Sequence, residues 1–236
     1  MEILALIFIV FIASSIQSGT GFGFSILATP FFLLLFNFAD AIQLNIIISL
    51  IISAAMTFKI YKDIDFHILK RLVVGSLIGV IPGLLIFIYT DVRPLKIIIS
   101  LLILVLTILL IAKIKIKRSN GKDFLTGTFS GLLTTSIGIP GPPILIYFSG
   151  VQVDKATLRS TTLAFYILIY SLSLLLQFFL NGISEVVLIS TLSAIPFVFF
   201  GLIAGQFLFS RLNQERFQKI IYVLLFTTGV YLLFSV

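Results

Sequence analysis

Eight apolar segments constrain the fold of this chain more than any other feature of its sequence. They cover residues 2–36, 41–58, 66–89, 95–112, 124–149, 156–180, 186–209 and 217–235. Charged or turn-forming residues separate them, and the two clearest polar loops are 59–71 and 113–123. A helix needs about 20 apolar residues to cross the hydrocarbon core of a bilayer, and several segments reach that length. The pattern predicts an all-α membrane protein that crosses the bilayer several times.

The composition agrees with this class and limits the partners of the chain. Hydrophobic residues make up 59% of the sequence and charged residues 11%, whereas a soluble domain carries about 25% charged residues. The net charge of +7 is typical of cytoplasmic loops rich in Lys and Arg, so we expect membrane lipid and no nucleic acid as a partner. The absence of cysteine excludes disulfides and thiol chemistry.

Two of the eight segments do not fit a single crossing. Segment 2–36 would extend about 52 Å as one continuous helix, which is too long for one span. Segment 124–149 is interrupted by the glycine- and proline-rich run 138–143. Each of these segments either crosses once or enters the membrane and returns to its own side as a hairpin.

The distribution of positive charge favours two hairpins. Single crossings would divide the 16 Lys and Arg residues almost evenly between the two sides of the membrane. Hairpins leave only Arg93 and Lys96 outside, in agreement with the positive-inside rule. The prediction is therefore two re-entrant hairpins, charged loops in the cytoplasm and both termini outside. The two arms of the first hairpin could also each cross the membrane fully. This arrangement leaves every loop on the same side as a re-entrant hairpin does, so it remains an alternative.

The two halves of the chain resemble each other in the order of their features. Each half has a hairpin broken by glycines, followed by a helix whose starting sequence is similar in the two halves. A helix with glycines spaced by four and a last helix complete each half. We predict a first repeat at 1–112 (hairpin 2–36), a cytoplasmic linker at 113–123 and a second repeat at 124–236 (hairpin 124–149). With three crossings after each hairpin, the second repeat is inverted relative to the first, as in many secondary transporters.

The broken hairpins predict an anion site. Irregular backbone at membrane depth survives only where protein or a water-filled cavity satisfies it. The second arm of each hairpin begins just after the break, near Phe24 and near Pro143, and therefore directs a helix N-terminus toward the middle of the membrane. Two such ends, with free N–H groups and partial positive charge, would form an anion site from backbone.

At these residues the chain resembles the sulfite-exporter-like TauE/SafE family, also called the toluene sulfonate uptake permease family. "GTGFGFSILATPFFLLL" is similar to its first glycine-rich stretch, and "GLLTTSIGIPGPPILIYFSG" followed by "KATLRSTTLAFY" to its second. The resemblance covers essentially the whole chain in two repeats. It implies passive or secondary transport of small sulfur-containing anions, such as sulfite, sulfonates or thiosulfate, across a prokaryotic plasma membrane.

The candidate substrate-binding residues lie at the breaks and on the helices that follow them. Hydroxyl and amide groups suit oxyanion oxygens as hydrogen-bond donors, and Arg159 would either attract and clamp the anion or extend to the membrane surface. The candidates are Gln17, Ser18, Thr20, Gly21, Gly23, Phe24, Ser25, Asn45, Thr135, Ser136, Gly138, Gly141, Pro142, Arg159 and Thr162.

The acidic residues and the missing motifs limit the mechanism. Asp40, Asp154 and Glu185 are predicted at helix ends and Asp65 and Asp123 in loops, so a carboxylate proton relay deep in a span is not expected. The chain lacks the motifs of a P-loop ATPase, a metalloprotease and a serine hydrolase. We expect no enzyme activity, cofactor or metal. An anion channel with the same site is the alternative function. The sequence is also compatible with a homodimer.

Overall fold

The structure is a computed structural model that describes residues 2–90, 92–112 and 115–211, with isolated positions between 222 and 234. Throughout this part of the chain the regular structure is helical. The helices are α1 (Glu2–Thr20), α2 (Phe24–Leu35), α3 (Phe38–Ile60), α4 (Phe66–Tyr89), α5 (Val92–Ile111), α6 (Asn120–Ile137), α7 (Gly141–Val151), α8 (Lys155–Asn181) and α9 (Glu185–Arg211), with a 3₁₀ turn at Tyr61–Asp63. The last predicted helix, 217–235, falls largely outside the described residues.

The helices divide into long apolar ones and two short ones. Five of those described, α1, α3, α4, α8 and α9, are long and apolar enough to cross a membrane. Helices α2 and α7 have only 12 and 11 residues, which corresponds to about 18 and 17 Å. Neither can cross a hydrocarbon core of about 30 Å.

Glycines end the first helix of each broken segment. Between α1 and α2, Gly21 and Gly23 have φ angles of 87° and 111°, and after α6 Gly138 has a φ angle of 73°. These values lie in the left-handed region, which glycine enters without the steric cost that a Cβ atom imposes. The amide of Gly138 closes the end of α6 by donating to Thr134 O at 2.8 Å. The helix therefore ends at these glycines in both segments, as the glycine pattern predicts.

Four helix starts follow from local capping side chains. Asn37, Asp65, Ser119 and Asp154 each accept a hydrogen bond from a backbone N–H in the first turn of the helix that follows. Such side chains satisfy amide groups that have no partner within the helix. Three of these caps place the helix start earlier than the apolar pattern suggests, at α3, α6 and α8, whereas α4 begins at the predicted residue 66. Helix α6 begins at Asn120, inside the segment that the sequence assigned to the linker.

Two pairs of helices pack through glycines with almost no space between them. On α4, a Cβ atom at Gly79 would lie 1.9 Å from Thr128 O of α6, and one at Gly83 would lie 2.5 Å from Leu132 O. On α9, a Cβ atom at Gly205 would lie 2.1 Å from Ser15 O of α1. Such close approach of backbones is how membrane helices gain van der Waals packing without a hydrophobic driving force between them.

These two interfaces correspond to each other across the halves of the chain. Gly79 and Gly83 of α4 face the carbonyls of Thr128 and Leu132 on α6. In the same order, Gly201 and Gly205 of α9 face Phe11 O with Ser14 Oγ, and Ser15 O, on α1. The fourth helix of each half thus packs on the first helix of the other half: α4 on α6, and α9 on α1.

Helices α3 and α8 lie between these two interfaces and contact each other extensively. Helix α3 also packs on α9, and α8 packs on α4, which is again the same relation with the halves exchanged. Both α3 and α8 bury polar side chains toward this centre, including Ser49, Tyr166 and Tyr170. The outer faces of α4 and α9 carry apolar side chains such as Ile81 and Ile203, which are 67% and 69% exposed and suit contact with lipid.

Candidate functional site

The first turns of the two short helices meet inside the protein. A Cβ atom at Gly141, the first residue of α7, would lie 3.3 Å from Ile26 Cδ1 in the first turn of α2. Ile26 is 1% exposed and Gly141 is buried. The side chain of Ile26 in the first turn of α2 therefore contacts the first residue of α7, although 115 residues of sequence separate Ile26 from Gly141. We call the contact between these first turns the junction.

Arg159 of α8 holds the first break. Its Nη2 atom donates to the carbonyl oxygen of Ser18, one of the last carbonyls of α1. The backbone of Gly21 passes so close that a Cβ atom there would lie 2.7 Å from Arg159 Cα. Arg159 is 8% exposed, so its side chain is packed inside the protein. It satisfies a helix C-terminus, where a cation also interacts favourably with the helix dipole.

Asn45 of α3 holds the second break in a corresponding way. Its Nδ2 atom donates to Gly138 O at 2.8 Å, directly after the end of α6. Ile42, one turn earlier on α3, also contacts Gly138. Each break therefore accepts a hydrogen bond from a polar side chain on the second helix after the other break, α3 or α8. The sequence placed Asn45 and Arg159 at similar points in the two halves, and the structure shows that each reaches across to the other half.

The two helix starts differ in the number of backbone donors that they present. In α2 the amides of Phe24, Ser25 and Ile26 precede the first intrahelical bond, from Leu27 N to Gly23 O. In α7 the first turn contains Pro142 and Pro143 after Gly141. Proline has no N–H group. The expectation that both helix ends offer free N–H groups therefore holds fully for α2 and only at Gly141 for α7.

A buried hydrogen-bonded network extends from the start of α2. The hydroxyl of Ser25 bonds to that of Tyr170 on α8 and lies 3.4 Å from Ser49 Oγ on α3. Gln17 Nε2 donates to Ser49 O at 3.2 Å and to Ser53 Oγ at 3.0 Å. The Oε1 atom of Gln17 is buried and has no hydrogen-bond partner. These groups connect α1, α2, α3 and α8 next to the junction.

A smaller network lies beside the second break. Thr135 Oγ1 lies 2.9 Å from Ser173 Oγ on α8 and 3.1 Å from Gly131 O. Gln177 Nε2 donates to Thr135 O at 3.2 Å. Ser136 donates instead to Leu132 O in its own helix at 2.7 Å. The polar residues that end α6 thus mainly stabilise the helix end and its contact with α8.

The structure brings several of the predicted residues together. All fifteen candidates named from the sequence are buried. Residues at the first break and the start of α2 that share contacts or bonds are Gln17, Ser18, Gly21, Gly23, Phe24, Ser25 and Arg159. Residues at the second break and the start of α7 are Asn45, Thr135, Ser136, Gly138, Gly141 and Pro142.

Two candidates have local surroundings that sequence reasoning did not foresee. Thr20 donates to Ile16 O at 2.8 Å and accepts from the amide of Phe22 at 3.0 Å, so its hydroxyl closes the turn. Thr162 is 1% exposed, and its hydroxyl has no hydrogen-bond partner.

The candidates named from the sequence do not include four polar residues of this region: Ser49, Ser53, Tyr166 and Tyr170. All four are buried and belong to the surroundings of the junction. Ser49 with Ser53 and Tyr166 with Tyr170 are each spaced by four, so each pair lies on one face of its helix. The sequence feature that could have identified them is the four-residue spacing of polar side chains within otherwise apolar helices.

Apart from Arg159, the charged residues discussed next lie at helix ends, away from the junction. Asp65 accepts from Arg118 Nη2 at 3.1 Å. Although burial opposes its ionisation, bonds from the amides of Ile68 and His67 and the charge of Arg118 hold the pKa of Asp65 below its usual value. No cluster of three or more metal-ligating side chains exists in the ranges that the structure describes.

Asp123 corrects one expectation about the acidic residues. The sequence predicted it in a loop, but it lies in the first turn of α6 with its side chain fully buried. Its Oδ2 atom lies 2.6 Å from Arg71 Nε on α4. The close approach of α4 and α6 through their glycines encloses the Asp123 side of this ion pair. Removal of Arg71 would leave the buried carboxylate without its counter-charge, which destabilises a fold.

The fold defines an all-helical protein with several candidate membrane spans and two broken helices. The model of the sulfite exporter TauE/SafE family matches residues 6–232. The chain belongs to this family and is an integral membrane protein of the sulfite-exporter type. No curated protein and no solved structure matches the chain.

Proposed function

We propose that this protein is a secondary transporter that moves small sulfur oxyanions, of the sulfite, sulfonate or thiosulfate type, through a midplane site at the junction. One observation carries the proposal: the first turns of α2 and α7 meet in the interior, with Gly141 next to Ile26. Two helix N-termini brought together in a dry environment attract an anion through their partial positive charge.

The depth of the junction follows from helix lengths. Helix α2 ends at Leu35 before the polar cap Asn37, and α7 ends at Val151 before the polar cap Asp154. If these polar caps lie at the two membrane surfaces, the starts of α2 and α7 lie about 17 or 18 Å inside. That is close to half of a hydrocarbon core of about 30 Å, which supports two re-entrant hairpins and a midplane site.

The inverted repeat is supported by the exchange of contacts between the halves. Helix α4 packs on α6 as α9 packs on α1, and Asn45 contacts the second break as Arg159 contacts the first. We propose repeats at 1–112 and 124–236 that enter the membrane from opposite sides, with both termini outside. In inverted-repeat transporters, rocking of one repeat against the other opens a central site to each side in turn.

The charge of the site favours monovalent oxyanions. Within the described residues, Arg159 is the one buried Lys or Arg, and the other donors near the junction are amides and hydroxyls. Transferring a charge from water into a low-dielectric interior is costly, and the cost grows steeply with the charge. Among the proposed substrates, a sulfonate or hydrogensulfite ion therefore suits the junction better than the divalent thiosulfate ion, and sulfate, which is also divalent, is disfavoured for the same reason.

Burial supports alternating access over an open channel. Tyr170, Ser25 and Gln17 are at most 4% exposed, so the surroundings of the junction are closed in this conformation. A closed central site that must open to either side in turn produces saturable flux and counterflow.

The test is flux in proteoliposomes that contain the purified full chain. A panel of labelled sulfite, thiosulfate, methanesulfonate, sulfate and acetate is offered at the same concentration and membrane potential. We expect saturable sulfite or sulfonate flux, acceleration by unlabelled substrate on the opposite side, and slower sulfate flux. Flux that does not saturate and shows no counterflow would indicate a channel. The absence of flux for every anion contradicts the proposal.

A further inference from the structure

Two tyrosine hydroxyls on α8 lie at the two helix starts that form the junction. A Cβ atom at Gly141 would lie 2.9 Å from the Tyr166 hydroxyl oxygen, so this oxygen contacts the first residue of α7. The Tyr170 hydroxyl bonds to Ser25 in the first turn of α2. The two rings are adjacent, with centroids 5.2 Å apart. One helical face of α8 thus presents a hydroxyl group to each helix start.

Both hydroxyls are buried, and one has an unused donor. Tyr166 is 2% exposed and Tyr170 is 0% exposed. Tyr170 is bonded to Ser25, whereas in the described part of the chain the Tyr166 hydroxyl has no hydrogen-bond partner. A hydroxyl without a partner keeps its hydrogen available to a bound acceptor.

The position of Tyr166 complements a deficiency in α7. Pro142 and Pro143 leave Gly141 as the single amide donor in the first turn of that helix. Helix α2 has the amides of Phe24, Ser25 and Ile26. An anion held between the two starts is therefore poorly supplied with donors on the α7 side, which is the side where the Tyr166 hydroxyl lies.

We propose that Tyr166 and Tyr170 are the hydroxyl donors that recognise an oxyanion at the junction, with Tyr166 supplying on the α7 side the donor that the two prolines remove. The ligand is an anion with several acceptor oxygens arranged around one centre, such as a sulfonate or hydrogensulfite. Tyr170 acts together with Ser25, to which it is bonded. The inference rests on the proposed function, because it assigns residues to the same site.

The experiment compares flux through wild type, Tyr166→Phe and Tyr170→Phe in proteoliposomes, with methanesulfonate and bromide as the two probes. Phenylalanine keeps the ring packing and removes only the oxygen. Tyr147→Phe is the matched control, because Tyr147 is also buried on α7 at 4% exposure and its hydroxyl contacts Ser119 O at 3.4 Å, at the other end of α7.

We expect Tyr166→Phe to raise the KM for methanesulfonate about tenfold, which is the loss of one hydrogen bond to a charged group. The KM for bromide should change less than twofold, because a spherical ion does not depend on one directed donor. Tyr170→Phe should have a smaller effect, since Ser25 remains, and Tyr147→Phe should have none. A KM for methanesulfonate within twofold of wild type in Tyr166→Phe, or an equal loss for both anions, overturns the inference.

A second measurement does not depend on the folding of a variant. Infrared difference spectra of the wild type with and without methanesulfonate report the tyrosine C–O stretching band. A shift of this band supports the inference, and an unchanged band overturns it. The two proposals can fail separately: wild type without anion flux contradicts the transporter, while the infrared band still decides whether the tyrosines bind the anion.

Discussion

Arg159 combines two properties that rarely occur together at one residue of a membrane protein. The residue is buried at 8% exposure, and its guanidinium donates a hydrogen bond to Ser18 O. Part of its positive charge therefore stabilises the C-terminal end of α1. It also lies at the break that leads into α2, where Gly21 contacts its backbone. A guanidinium has five donors in a fixed geometry, so Arg159 places both a positive charge and directed donors at this break.

The first prediction separates the charge of Arg159 from its hydrogen bonds. Arg159→Gln removes the charge, and we expect the KM for sulfite to rise at least tenfold. Arg159→Lys keeps the charge but loses the planar set of donors, and we expect an increase of about threefold. Both variants should unfold more readily, by about 1–3 kcal/mol, because Ser18 O loses its donor.

Flux in proteoliposomes and thermal unfolding in detergent measure the two effects independently. Lys117→Gln, at an exposed position, controls for the general loss of one positive charge. An unchanged KM for sulfite in Arg159→Gln would limit Arg159 to holding the break.

Asp154 permits a prediction about acid at a single helix cap. Hydrogen bonds from Thr157 and Ala156 hold the pKa of its carboxyl below the usual value. Because the folded-state pKa is lowered, the carboxylate stabilises the fold above the unfolded pKa of about 3.9, and this contribution is lost as the pH falls through the folded-state value.

The comparison is between wild type and Asp154→Asn, since asparagine can cap α8 but does not titrate. Wild type should have the higher unfolding temperature at pH 7. The difference should begin to shrink near the unfolded pKa of about 3.9 and disappear only below the lowered folded-state pKa of Asp154. Unfolding temperatures in detergent across this pH range provide the test. A difference that persists unchanged at the lowest pH would show that the charge of Asp154 does not stabilise α8.

At the scale of helices, the glycine contacts between α4 and α6 predict a large effect from a very small substitution. Gly79→Ala would place a Cβ atom 1.9 Å from Thr128 O, and backbone cannot rotate away as a side chain can. We expect a loss of about 1–3 kcal/mol of stability, because the two helices must separate. Measurement is by denaturant unfolding in detergent.

Gly121→Ala is the matched control, since a Cβ atom there meets nothing within 4 Å. It should change the free energy of unfolding by less than about 0.5 kcal/mol. Equal stability of the Gly79→Ala and Gly121→Ala variants would contradict the close packing of α4 on α6.

The helices and their interruptions were largely predictable from the sequence, and the reason is local. Apolar length determines a span, and glycine permits the left-handed backbone that ends α1 and α6. Caps explain most errors in helix ends, because Asn37 and Ser119 start α3 and α6 before the apolar run begins. The burial of Asp123 was not predictable in this way, since it depends on Arg71 of a different helix.

At the scale of the whole molecule, the contacts that define the site join residues far apart in sequence. Ser25 bonds to Tyr170, and Asn45 bonds to Gly138. The sequence predicted that these regions are near the breaks, but a single sequence contains no information on which side chains meet across the halves. Tyr170 was missed for this reason, because a tyrosine in an apolar helix is indistinguishable from a core residue until its partner is known.

The central claim is that an anion occupies the junction between the starts of α2 and α7, and substrate protection of a single introduced thiol tests it most directly. The chain has no cysteine, so Ile26→Cys gives a protein in which any thiol label reports the junction alone. The reaction of Ile26→Cys with a small methanethiosulfonate reagent is followed in proteoliposomes kept free of sulfite, because sulfite consumes the reagent and cleaves the labelled disulfide. Lys117→Cys is the exposed control. We predict that saturating methanesulfonate slows labelling at Ile26→Cys and leaves Lys117→Cys unchanged. Labelling of Ile26→Cys at the same rate with and without methanesulfonate, or no labelling in a preparation that transports sulfite, would contradict the account.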